Sequence, residues 1–197
     1  MDPNKKQPMT KKKNISLSRR MEDGQALEKY IFPNAFEEFR RKVLDPLELE
    51  AARFFIEKES LEYAACFFEL KNQKIVFRSA KITPTKAGQF VTLWKRKKGG
   101  PIEPYHIQDD VDYYIVLANL PNRSGQFIFP KEALYEHGIL SGKKEGKRGF
   151  RIYPPWDLSL NKQAQKTQIW QSNYFMENVA DLEIDRKNFL NLLGLGE

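Results

Sequence analysis

Apolar positions along this chain change period near residue 58. From 24 to 58 they recur every three or four residues. Leu27, Tyr30 and Ile31 come first, Phe36, Phe39, Val43 and Leu44 follow Pro33, and Leu47, Leu49, Ala52, Phe54, Phe55 and Ile56 follow Asp45-Pro46. That spacing predicts two helices with a proline-marked break. Short aromatic and β-branched runs bounded by turn residues then predict strands. Strands are expected at 63–70, 75–83 and 89–96, joined by Lys71-Asn72-Gln73-Lys74 and by Thr83-Pro84-Thr85-Lys86-Ala87-Gly88, as an antiparallel meander. Gly99-Gly100-Pro101 ends the third, and a Pro- and acid-rich linker leads to strands at 113–118 and 126–129. Pro130 suits the first turn of a short helix that Gly138 ends. A Gly/Lys loop at 141–149, a strand at 150–153 stopped by Pro154-Pro155, and helices at 161–175 and 185–193 complete the chain. The order predicts an α+β fold with a mainly antiparallel, strongly curved, barrel-like sheet flanked by helices. Residues 1–20 are polar and Lys-rich and read as a flexible basic arm, which leaves 21–197 as a single α+β domain.

Composition fits that picture. The 197 residues are 41% hydrophobic and 13% aromatic, the make-up of one folded domain with a real core. The single cysteine, Cys66, permits no intramolecular disulfide and no cysteine-based metal site. No apolar run reaches the roughly 18 residues of a membrane span. The basic N-terminus has no apolar segment behind it, unlike a secretory signal. A cytoplasmic location without membrane contact is therefore expected.

Charge changes the picture more. The net charge is +7, and it is segregated along the sequence. Residues 71–100 contain no Asp or Glu but carry Lys71, Lys74, Arg78, Lys81, Lys86, Lys95, Arg96, Lys97 and Lys98. A second basic segment, 141–170, sets Lys143, Lys144, Lys147, Arg148, Arg151, Lys162 and Lys166 against Glu145 and Asp157. An ordinary solvated surface mixes signs, whereas a phosphate-binding surface excludes acids. The plain alternative is a solvated sheet edge protected by lysines.

Three phrases carry a resemblance. They are 77–90 (FRSAKITPTKAGQF) continuing through Trp94-Lys95-Arg96, then 146–156 (GKRGFRIYPPW), then 162–171 (KQAQKTQIWQ). Over roughly 57–176 the chain resembles the MepB family of small bacterial proteins. The resemblance implies a nucleic-acid-binding group with folds likened to parts of restriction enzymes.

The residues point the same way. The turn at 83–88 offers hydroxyls, an ammonium and free backbone N–H groups, the donors that hold phosphate oxygens. Arg78, Lys81, Lys86, Lys95, Arg96, Lys147, Arg148 and Arg151 are the expected phosphate contacts, with Thr83, Thr85 and Gln89 as polar positioning groups. Arg78 and Lys81 have opposite parity, so both reach one face only through a bulge near Ser79-Ala80 or a strong twist. In the helix at 161–175, Lys162 and Lys166 would join the surface, and Gln163, Gln165, Gln168 and Gln171 are of the type that reads adenine edges. Gln is equally a common solvated helix residue. Trp94, Trp156 and Trp170 read as packing rather than stacking platforms. The expected ligand is double-stranded DNA, favoured over RNA, bound without catalysis, with counterion release by the arm adding affinity.

Two other classes stay open. Glu69-Leu70-Lys71 matches the end of a metal-dependent nuclease site, which needs a second carboxylate to share the ion; Asp112, with Asp109 and Asp110, is the candidate. A module binding an acidic protein partner would use the same basic face. His106 and His137 have no motif partners, and the glycines at 142 and 146 lack phosphate-loop spacing. No cofactor or metal is expected, and the oligomeric state is left open.

Overall fold

A computed structural model describes residues 32–97, 99–158, 160–178 and 182–196. The basic arm and the apolar positions Leu27, Tyr30 and Ile31 lie outside the described residues. Helix α1 (Asn34–Phe39) runs into a π-helical turn (Arg40–Leu44) and then strand β1 (Ala52–Ile56). A 3-10 segment (Lys58–Tyr63) precedes β2 (Cys66–Leu70), β3 (Gln73–Ser79), β4 (Lys81–Thr83), β5 (Lys86–Thr92), β6 (Trp94–Arg96) and β7 (Ile102–Pro104). The chain continues through β8 (Tyr113–Leu120), β9 (Arg123–Pro130), α2 (Lys131–Glu136), β10 (Gly149–Ile152), α3 (Lys162–Ser172), β11 (Phe175–Glu177) and α4 (Leu182–Leu192).

A six-stranded sheet in the order β1-β2-β3-β8-β9-β11 forms the frame, with a three-stranded sheet β10-β5-β4 and a β6-β7 pair beside it. All pairings in the frame are antiparallel except β3 with β8. Alternate residues of the frame enter two apolar cores. Ile75, Phe77, Ile115 and Ile128 face α1, the π-helical turn and α4 through Phe36, Phe39, Val43, Leu44 and Phe189. Val76, Tyr114, Val116, Phe127 and Phe129 face the small sheet and α2 through Val91, Leu93, Phe150, Ile152 and Leu134. Coverage on both faces explains why β8 and β9 read as continuous apolar runs rather than alternating ones.

The α+β class and the mainly antiparallel sheet stand, but the barrel-like curvature does not. Strands β1 and β11 lie at opposite ends of an open sheet. The second expected helix is also replaced: Ala52–Ile56 pairs with β2 as a strand. A short apolar run is ambiguous in period, and Phe54, Phe55 and Ile56 are residues that suit a pleated surface. The expected meander breaks at Ala80, whose N–H donates to the Leu117 carbonyl. Beyond it the chain leaves the frame, and β5 pairs with β4 and β10 while β3 takes β8 as its neighbour.

Candidate nucleic-acid interface

Tertiary folding supplies the acids that residues 71–100 lack. Lys74 pairs with Asp110 at 2.5 Å, Lys81 with Glu62 at 2.6 Å, Arg96 with Glu59 at 2.7 Å and Lys97 with Glu103 at 3.1 Å. Lys95 contacts both Asp109 and Glu103. Exposed pairs of this kind each stabilise by only about 0–1 kcal/mol. Their larger effect is on surface potential, because segments 57–62 and 103–112 restore a mixture of signs. Within the acid-free stretch, Lys71 and Lys86 keep no carboxylate partner among the described residues.

Arg78 is turned inward. It is 1% exposed, and its Nη2 donates to Glu57 Oε2 at 2.6 Å while Nη1 donates to the Phe77 carbonyl at 2.9 Å. Burial opposes its charge, and Glu57 and Tyr105 more than offset this, so its pKa lies above the usual arginine value. Burial, followed by the Glu57 charge, pushes the Tyr105 hydroxyl well up, so it remains a proton donor to Glu57 Oε1. Arg78 therefore has no surface to offer a phosphate. The parity conflict is resolved by the break at Ala80, and only Lys81 of the two reaches the outside.

The turn between β4 and β5 is braced from β10. Arg151 Nη1 donates to the Ala87 and Gly88 carbonyls at 3.1 and 3.2 Å, and Nη2 donates to Thr83 Oγ1 at 2.7 Å. Gly88 has φ +74°, and a Cβ there would lie 2.6 Å from the Tyr153 ring. Gln89 is buried and exchanges hydrogen bonds with the backbone of Asn119, at 3.2 and 3.3 Å, stitching the small sheet to β8. Thr83, Gln89 and Arg151 thus hold the turn's shape, while Thr85 and Lys86 stand exposed at its tip.

The second basic segment meets the other end of β5, where the Leu93 N–H donates to the Arg148 carbonyl and Gly149 pairs with Thr92. Lys143, Lys144 and Lys147 are exposed in the loop before β10, whereas Arg148 pairs with Glu145 at 2.9 Å. Helix α3 starts at Asn161, whose Oδ1 accepts the Ala164 N–H at 2.9 Å. Lys162 and Lys166 are exposed on it. Three of its four glutamines are engaged by the protein's own backbone, although Gln163 and Gln165 are exposed. Gln165 donates to the Leu160 carbonyl, and Gln168 to those of Pro154 and Asp157. Gln171 donates to the Arg151 carbonyl at 2.9 Å and accepts the Tyr153 N–H at 2.8 Å. Gln163 alone of the four makes no side-chain hydrogen bond among the described residues, so the row does not form a base-reading face. Trp170 packs, stacking on His137 with ring centroids 3.8 Å apart and lying against Phe129.

The nuclease residues do not converge. Glu69 lies opposite Lys74 across β2 and β3 and pairs with Arg53 at 3.3 Å. Asp112 sits on the far side of Lys74, accepting its backbone N–H at 2.9 Å. Two strand spacings of about 4.8 Å each separate the carboxylate-bearing backbones, with a lysine strand between them. Lys71 lies past the end of β2 at φ 50°. Among the described residues no group of three His, Cys, Asp or Glu side chains could hold a metal ion. No described helix is long and apolar enough to cross a membrane.

These features define an α+β protein with an open mixed sheet. The MepB-like family model matches residues 57–177, and the chain belongs to that family. The crystal structure of MepB is similar at 39% identity and a TM-score of 0.64, over 66% of this chain and 89% of that one. No curated protein matches. The matched span holds both basic segments and leaves out α1, β1 and α4. Lys143 and Lys144 belong to the acid-poor segment 141–170 that the sequence marks.

Proposed function

We propose that the protein binds double-stranded DNA, without catalysis, through the β4–β5 turn, the 143–147 loop and the exposed side of α3. One observation carries this reading: six exposed lysines left without carboxylate partners among the described residues lie on elements joined by strand pairing and hydrogen bonds, whereas Lys58 and Lys71, also unpaired, lie elsewhere. Strand β10 pairs with β5, β5 pairs with β4, and Gln171 ties α3 to β10. Along them Lys86, Lys143, Lys144, Lys147, Lys162 and Lys166 are exposed and carry no ion pair among the described residues. Lysines in the first turns of a helix oppose its dipole, and a phosphate beside them would relieve that cost. Lys81, Lys95, Arg96 and Arg148, each held by acids, are secondary contacts, and Thr85 donates at the turn tip. The arm at 1–20 adds affinity by counterion release. The setting is the cytoplasm, where Cys66 stays a buried free thiol.

Fluorescence anisotropy with a labelled duplex across a salt series tests this. Neutralising Lys86, Lys162 and Lys166 to Ala is expected to weaken binding and flatten the salt slope by about 0.9 per lost phosphate contact. Lys81→Ala with Lys95→Ala is expected to change the slope less. An unchanged slope in the triple variant removes the strip from the interface. Displacement by an acidic peptide but not by unlabelled duplex would reassign the face to a protein partner.

A further inference from the structure

A second site lies away from Lys86, the 143–147 loop and α3, at the junction of β1, the 3-10 segment and β6, and shares only the secondary contacts Lys95 and Arg96 with the duplex surface. A cleft of about 420 Å³ is lined by Phe55, Ile56, Glu57, Lys58, Trp94 and Tyr105, with Glu59, Ser60, Lys95 and Arg96 completing it. Clefts that hold small ligands run from about 300 to 1,000 Å³. Its composition is that of a site for a flat, partly polar molecule. Phe55 is 48% exposed although it is a large aromatic on a strand, and Trp94 is only partly covered.

Glu57 is the built element. It lines the cleft and remains 23% exposed, while the buried Arg78 holds Oε2 and Tyr105, itself part of the lining, holds Oε1. Each carboxylate oxygen can accept more than one hydrogen bond, so both retain an acceptor site. The buried cation behind keeps the carboxylate compensated and fixed in orientation. A fixed carboxylate in a lining that also carries Phe55 and Trp94, the latter with the Arg96 guanidinium 5.9 Å from its ring centroid, matches a heterocycle that presents two N–H donors side by side. Guanine does so through N1–H and its N2 amino group. Adenine and cytosine place a ring acceptor beside their amino group, and a carboxylate repels that acceptor. Lys58 is exposed on the lining with no ion pair among the described residues, and it can meet a phosphate.

We propose that this cleft binds the guanine base of a nucleotide, with Glu57 accepting from N1–H and N2–H, Phe55 and Trp94 flanking the ring, and Lys58 at the phosphate. The proposal stands independently of the duplex-binding strip.

Isothermal titration calorimetry of the full chain tests it, with guanosine, inosine and adenosine 5′-monophosphates as probes. The guanine nucleotide is expected to bind saturably. Inosine monophosphate, which lacks the amino group, and adenosine monophosphate should bind roughly tenfold or more weakly, the scale of one lost bidentate contact. Phe55→Ala removes a half-exposed wall without emptying the core and should weaken guanine binding several-fold. Glu57→Gln should erase the preference for guanine over adenine; because it leaves Arg78 without a counter-charge, the Phe55 variant and the inosine comparison decide if it fails to fold. A parallel titration with an oligothymidylate carrying one central guanine separates sources. Binding of the oligonucleotide alone assigns the site to a base within a strand, and binding of both probes assigns it to guanine in either form. Binding of neither, equal affinity for guanine and adenine nucleotides, or indifference to Phe55→Ala overturns the proposal. The Lys86, Lys162 and Lys166 variant should keep guanine binding, so failure of the strip and failure of the cleft are separable.

Discussion

The Arg78 guanidinium leaves water with Glu57 and the Phe77 carbonyl accepting from its Nη atoms, while its buried Nε–H has no partner. Breaking a buried pair from one side costs about 3–5 kcal/mol, and the partial exposure of Glu57 points to the lower end. Arg78→Met is therefore expected to lower unfolding free energy by about 3 kcal/mol in urea titrations, while leaving the salt slope of duplex binding unchanged in conditions where the variant is folded. Asp157 is a carboxylate whose Oδ2 is also buried with no hydrogen-bond partner. Burial raises its pKa above the ordinary 3.8. A carboxylate with a raised folded pKa contributes stability at pH below its unfolded value and loses it as pH rises through the folded one. Asp157→Asn should thus be more stable than the parent at neutral pH, with the difference closing as the pH falls below the ordinary aspartate value. Thermal melts at a series of pH values check this.

Helix α3 is polar on most sides, and hydrogen bonding rather than an apolar stripe fixes it against the chain at 151–160. Leaving a buried backbone group unpaired costs about 1–3 kcal/mol. Gln171→Ala strands both the Tyr153 N–H and the Arg151 carbonyl, so it should destabilise by at least that amount in denaturant titrations, whereas Gln163→Ala should be near neutral. The hairpins β2–β3 and β8–β9 were legible because turn residues separate apolar runs of strand length. The β4–β5 turn was legible in the same way. The partner strands were not: alternation assigns a residue to a face, but the same pattern permits several neighbours. Nothing local in 75–83 marks that Ala80 will leave the frame, or that β10, some sixty residues later, will close against β5.

At the scale of the whole molecule, charge compensation is a long-range property. Glu59, Glu62 and Glu103 screen Lys81, Lys95, Arg96 and Lys97. Replacing those three acids by Gln should unmask the cations, tighten duplex binding and steepen its salt dependence, as read by the same anisotropy series. Lack of any change would place that quarter of the surface away from DNA. The sequence by itself determined the α+β class, the strand-rich span from 63 onward, the helix at 161, and the family through its motifs. These follow from local periodicity, turn chemistry and short linear phrases. Tertiary structure alone decided that the sheet is open, that Arg78 is buried and that most of the acid-free stretch is neutralised. Coulomb forces and burial act through space, so carboxylates far away in sequence become nearest neighbours in the fold. The basic character read along the chain therefore survives unpaired, among the described residues, at Lys71 and Lys86 and at the exposed lysines of 143–166.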